Sequence, residues 1–162
     1  MSDPLALYGD LMDRAIAVAR RGIAAGQSPF GAVVATEAGE VIAESHNTVR
    51  LDGDATAHAE INVIRRACAH LGTTDLRGHL IATTCEPCPM CAAAIHWARL
   101  DTVICGAEIA DAGRSGFNEL SLAAADLYRQ GGSPVRVVAH VEQARCRELF
   151  ALWQRGPNPT AY

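Results

Sequence analysis

Two short segments limit what this chain can fold into more than anything else in it: His58-Ala59-Glu60 and Pro87-Cys88-Pro89-Met90-Cys91. Cys88 and Cys91 are one helical turn apart, so a helix that starts at Cys88 directs both sulfurs toward one point. Pro89 fits that placement, because the first turn of a helix leaves its N–H groups without intrahelical partners and loses nothing to proline. The same unpaired N–H groups favour thiolate over thiol. Two thiolates and the imidazole of His58 suit zinc, and a fold that lets the three meet has to bring two helix starts together.

Three protein ligands leave the fourth tetrahedral position to water, whose pKa zinc lowers toward neutrality. Glu60, two residues past His58, reaches that water without binding the metal, which is where a proton shuttle belongs. The pairing of H-x-E with P-C-x-x-C is the mark of zinc deaminases that act on bases. The same residues admit two other sites. Cys85 as a fourth ligand would close the cluster into a structural Cys3His centre. Cys85, Cys88 and Cys91 also match half of an iron–sulfur run, although no cysteine follows among Ala93, Ala94 and Ile95.

Hydrophobic periodicity orders the rest of the chain. Met12, Ala15, Ile16, Ala19 and Ile23 predict a helix over Leu5 to Ala25, ended by Gly26. Phe30 to Thr36 and Val41 to His46 read as the strands of a hairpin, and a loop runs from Asn47 to Ala57. A helix over His58 to Leu71 carries Ile61, Ile64, Ala67, Cys68 and Leu71 as its apolar stripe, and Gly72 closes it. Then come a buried strand at Leu80 to Thr84, a helix at Cys88 to Ala98, and a strand at Val103 to Gly106. A polar loop from Ala107 to Asn118 leads to a helix at Leu120 to Tyr128, a strand at Val135 to Val141 and a last helix at Ala144 to Gln154. Strands alternating with helices imply an α/β fold, a three-layer α/β/α sandwich forming one domain over residues 1–162. The stretch from Gly156 to Tyr162 is no regular helix.

A formal charge of −4, with all 14 basic residues arginine and none of them in a basic tail, gives no electrostatic footprint for nucleic acid. Met1 to Asp13 holds no positive leader before an apolar run, and no stretch reaches the ~20 apolar residues of a membrane span. Six cysteines, three of them at every third position, suit metal chemistry in a reducing compartment. The expectation is a cytoplasmic protein without membrane or nucleic-acid partners. Cys68, Cys105 and Cys146 read as small core hydrophobes.

On these motifs the chain resembles the cytidine deaminase-like superfamily. Thr56-Ala57-His58-Ala59-Glu60, Cys85-Glu86-Pro87-Cys88-Pro89-Met90-Cys91, Ala94-Ile95-His96-Trp97-Ala98-Arg99 and Ser28-Pro29-Phe30-Gly31-Ala32 resemble bacterial guanine deaminases and plant guanosine deaminases, from about Leu11 to Gly116. The resemblance implies a five-stranded mixed sheet, a homodimer and a small heterocyclic amine as substrate. It also implies zinc on His58, Cys88 and Cys91, with Glu60 as the catalytic group. Asn47 matches an asparagine that holds the base, and Tyr162 matches a terminal tyrosine brought to the site by a tail, here residues 155–162, exchanged between subunits.

One departure bears on the ring. Guanine deaminases carry Gly-Phe-Asp-Asp after the fourth strand, where this chain has Gly116-Phe117-Asn118-Glu119. Glu119 keeps the charge that reads the purine edge and reaches one methylene farther. Ala59 and Phe30 are counted with the substrate-binding positions, Phe30 also as packing, and Trp97 as a pocket wall. His96 is placed to approach the pocket mouth. A guanine-type purine is the first substrate implied; cytosine, an aminotriazine, guanosine and the adenosine of a tRNA are the alternatives.

Overall fold

Alternation along the first strand shows how the layers form. Val33 and Ala35 face one buried cluster while Ala32 and Val34 face another, as the period of two requires for a strand covered on both sides. The computed structural model describes residues 4–162; the opening of the Met1 to Asp13 stretch thus lies outside the described residues. The order is α1 (Pro4–Ala24), β1 (Gly31–Thr36), β2 (Val41–His46), α2 (Val49–Asp52), α3 (Ala59–Leu71), β3 (His79–Cys85), α4 (Pro89–Trp97), β4 (Thr102–Ala107), α5 (Ile109–Arg114), α6 (Ala124–Gly131), β5 (Arg136–Val138) and α7 (Gln143–Gln154).

The sheet is five-stranded and mixed, in the order β2-β1-β3-β4-β5. β1 runs antiparallel to both β2 and β3, whereas β3, β4 and β5 run parallel. Leu11, Met12, Ala15, Ile16 and Ala19 of α1 pack with Cys146, Leu149, Phe150 and Trp153 of α7 on one face. Ala59, Val63 and Ala67 of α3, Ala92 and Ile95 of α4 and Tyr128 of α6 cover the other. The three layers are those the sequence predicts. At Gly31 a side chain would meet the Ala15 carbonyl at 2.4 Å, so glycine lets α1 lie directly on β1.

Four local features differ from expectation. The loop after β2 contains the single turn α2, whose chain reverses at Gly53 in the left-handed region. The supposed polar loop after β4 contains α5. Its capping box uses Glu108 and Asp111, which lacks the Ser/Thr-x-x-Glu signature of a helix start. The helix expected at Leu120 to Tyr128 begins instead at Ala124, because the Ala124 N–H donates 2.9 Å to the Glu86 carboxylate from a distant loop. β5 is three residues long, and the chain turns away at His140 and Glu142 with positive φ.

Candidate active site

Both helix starts point at one place because β3 runs between them and parallel to β4. His58 is the N-cap of α3 and Cys88 the N-cap of α4, each in an extended backbone conformation. His58 Nδ1 lies 3.7 Å from Cys88 Sγ and 3.6 Å from Cys91 Sγ. All three donor atoms fall within 4.8 Å of one another. Bond lengths near 2.3 Å to sulfur and 2.1 Å to nitrogen at a tetrahedral angle put such atoms about 3.6 Å apart, so the set fits zinc as it stands.

Electrostatics prepare the sulfurs. Cys91 donates to Cys88, and this bond, with His58 adding to it and burial opposing, brings the Cys88 thiol down to about 4. Cys91 is pushed far up because it gives that bond and because it is buried. Burial opposes charge on His58, yet Cys88 and Glu60 beside it raise its pKa overall. Burial pushes the Glu60 carboxyl up, with His58 pulling the other way. The Cys85 thiol is outside the cluster. It donates 3.5 Å to the Glu108 carbonyl and is held protonated by burial, which counts against both the closed Cys3His site and the iron–sulfur run.

Over the cluster lies a cavity lined by Phe30, Asn47, His58, Glu60, Cys85, Glu86, Cys88, Glu119 and Tyr162. Asn47 is fully buried; its Oδ1 accepts from the Val49 N–H at 3.1 Å and its Nδ2 donates to the Tyr162 hydroxyl at 2.5 Å. It therefore makes a local turn and faces the cavity at once. Glu119 is half-buried, and burial followed by the Cys88 charge raises its pKa. Phe30 stands edge-on to Phe117 at 5.0 Å and to Phe150 at 5.8 Å between ring centres, so it packs the core and lines the cavity. The Tyr162 ring lies 5.8 Å from the His58 ring. Its carbonyl accepts from the Asn118 N–H, and Arg50 holds the Asn158 carbonyl, so residues 155–162 fold over the site of their own chain. With Tyr162 there, the free volume is about 20 Å³, room for a single water.

Three expected pocket residues lie elsewhere. Trp97 is 77% exposed at the far end of α4. It lines a separate cleft of about 700 Å³ with Arg77, Arg99, Pro134 and Arg136, because it ends α4, about two and a half helical turns from Cys88, and so points to the opposite side. His96 lines the same cleft and bonds Ser133 at 2.8 Å. Ala59 turns its methyl into the apolar cluster beneath α3, off the cavity wall. Sequence reasoning also missed three residues. Glu86 lines the cavity and caps α6. Asn62 presents its amide N–H groups to His46 O, Thr48 Oγ1 and Ala57 O at 3.1, 2.8 and 3.3 Å, fastening the loop of Asn47 to the helix of Glu60. Thr83 donates toward Glu60 from β3. An unexpected polar residue on a buried strand face was the one available signal for Thr83; the contacts of Glu86 and Asn62 are purely tertiary.

Residues 7–107 match the pattern of the cytidine and deoxycytidylate deaminase zinc-binding region. The chain is 46% identical over 156 residues to guanine deaminase of Bacillus subtilis, covering 93% of this chain and 96% of that one. It is 42% identical over 105 residues to a tRNA-specific adenosine deaminase of the same organism, covering 65% of each. The solved structure of a guanine deaminase from Nitrosomonas europaea superposes with a TM-score of 0.81 at 26% identity, over 96% of this chain and 87% of that one.

Proposed function

Since this chain belongs to the cytidine and deoxycytidylate deaminase zinc-binding family, we propose that it hydrolytically deaminates a free nucleobase, a guanine-type purine first. The observation that carries the reading is the cavity together with the cluster it adjoins: three zinc-type ligands, two of them in the cavity lining, with the buried carboxyl of Glu60, the amide of Asn47 and the carboxyl of Glu119 in the same lining. His58, Cys88 and Cys91 would hold the ion. Zinc bound there lowers the pKa of a water toward neutrality and so supplies the nucleophile. Glu60 takes one proton of the attacking water and returns it to the ring nitrogen, then takes the remaining proton from the newly added hydroxyl and delivers it to the leaving amine as the C–N bond breaks, so that a ring C–NH2 and water become a ring C=O and ammonia. Burial suits it to that exchange, because a raised carboxyl pKa lets it hold a proton between steps.

Asn47 orients the ring through a donor and an acceptor on one side chain. Glu119 accepts from a ring N–H or amine edge. Phe30 supplies an apolar wall, and Tyr162 closes the site over the ring. Because the free volume leaves no place for a base with Tyr162 as it stands, residues 155–162 move or exchange with a second subunit when substrate enters. That closure also speaks for a small substrate over a tRNA, as does the net charge of −4. Leu51, Trp97 and Leu120, exposed by 70%, 77% and 68%, suit burial against a second copy in a homodimer. No described helix is long and apolar enough to cross a membrane, and free thiols throughout fit a cytoplasmic location.

Ammonia release by zinc-loaded protein tests the proposal on guanine, guanosine, adenine, cytosine, cytidine, an aminotriazine and adenosine-bearing tRNA, with Glu60→Gln and chelated protein as controls. Guanine turns over, and both controls lose it. Silence on every ring at full zinc occupancy would refute the proposal, and turnover of another ring alone would reassign the substrate.

A further inference from the structure

On the sheet face beneath α3 and α4, Thr83 follows Ile81 along β3. Its partners across the sheet are Ala32 on β1 and Cys105 on β4. Val34, Ile81 and Val103 belong to the same buried cluster. Valine has the same branched outline and would bury in this row without needing a partner, whereas a hydroxyl there has to be bonded. The Thr83 side chain is 1% exposed and finds two acceptors, Glu60 Oε1 at 3.3 Å and the Cys85 carbonyl at 3.0 Å. Thr84, its neighbour, faces the other way and accepts from the Gly31 N–H at 3.1 Å.

We propose that Thr83 is a positioning residue for Glu60, its hydroxyl fixing the carboxyl between β3 and the ligand cluster. The inference rests on the deaminase reading above. Glu60 is a three-torsion side chain in the first turn of α3, and proton transfer in a cavity this narrow needs it held to a fraction of an ångström. The hydroxyl stands between the Glu60 carboxyl and the Cys85 carbonyl, within reach of both, and so links the side chain to the backbone at the end of β3, a link a valine methyl cannot make.

Thr83→Val and Thr83→Ser in the zinc-loaded protein test this. For Thr83→Val, zinc content and thermal midpoint hold at wild-type values, while kcat falls about ten- to a hundred-fold and KM stays within about two-fold. Thr83→Ser, which keeps the hydroxyl, recovers most of kcat. Independently of turnover, the carboxyl-carbon NMR signal of Glu60 in substrate-free protein, identified by its loss in Glu60→Gln, shifts in Thr83→Val and returns in Thr83→Ser. Wild-type kcat with an unmoved signal in Thr83→Val overturns the proposal. So does equal loss of kcat in both variants, or loss of zinc from Thr83→Val, since the hydroxyl would then not be acting on Glu60. Should the wild type deaminate no ring at all, the deaminase reading fails, and the NMR shift still decides whether Thr83 holds Glu60.

Discussion

Asp111 ties α5 to α7, and its removal has a calculable effect. Its carboxylate accepts from the Glu108 N–H at 2.8 Å and from Arg147 Nε at 3.0 Å, and it pairs with Arg114. Asp111→Ala loses a helix-start bond, about 1 kcal/mol by comparison with other caps. It also loses a charge-assisted bond normally near 2 kcal/mol, reduced toward about 1 because the Arg147 side chain is 45% exposed. The Arg114 pair adds nothing, since that guanidinium is 65% exposed. The sum is about 2 kcal/mol, and in a domain of this size that lowers Tm by roughly 4–8 °C. Asp111→Asn keeps an acceptor for the Glu108 N–H and costs about half as much.

The sign of the pH dependence follows from the shift. Burial works against the Asp111 charge, but the Glu108 N–H, Arg147 and Arg114 outweigh it and lower the pKa below the ordinary value. Its contribution is therefore fully present above the unfolded pKa near ~3.9 and fades as pH falls through the lower folded value. Circular-dichroism melts of wild type, Asp111→Ala and Asp111→Asn at neutral pH and near pH 3 show the gap between wild type and Asp111→Asn narrowing in acid. A loss under about 2 °C at neutral pH, or a gap that widens in acid, would refute the assignment.

Two other substitutions probe separate parts of the molecule. A methyl at Gly106 would stand 2.2 Å from Cys146 Sγ; Gly106→Ala lowers the urea midpoint by the equivalent of about 1–3 kcal/mol, and Cys146→Ala in the same chain restores part of it, whereas simple additivity would show that α7 does not press there. Tyr162→Phe removes the bond to Asn47 that holds the tail over the ring-free site and lowers KM about five-fold at unchanged kcat, as the loss of one neutral hydrogen bond from the closed state implies; a higher KM in steady-state kinetics would show that the hydroxyl contacts the ring instead of closing the empty site.

Much of this protein was legible in its sequence, for reasons of range. Cys88 and Cys91 share a helix turn and Glu60 is two residues from His58, so local geometry and spacing announced a cluster of three donor atoms with a carboxyl beside it. Strand alternation and helical stripes announced three layers, because burial on a sheet repeats at two residues and on a helix at 3.6. Errors arose where a distant group supplied what local sequence lacked. Ala123 is no helix cap, and α6 starts after it only because Glu86 arrives from another loop. Trp97 lies in a motif with the ligands yet faces outward, because proximity along a helix says little about direction around it.

What the sequence determined by itself was the chemistry and the layer order, both written in residue types at short, regular separations. Only the tertiary structure decided that Thr83 meets Glu60, that Asn62 fastens the loop of Asn47, and that Tyr162 lies over the zinc ligands, 115 residues beyond Asn47 along the chain. Those contacts join segments whose separation carries no periodic signal, and chain packing alone sets which polar groups are left facing one another when the apolar surfaces close.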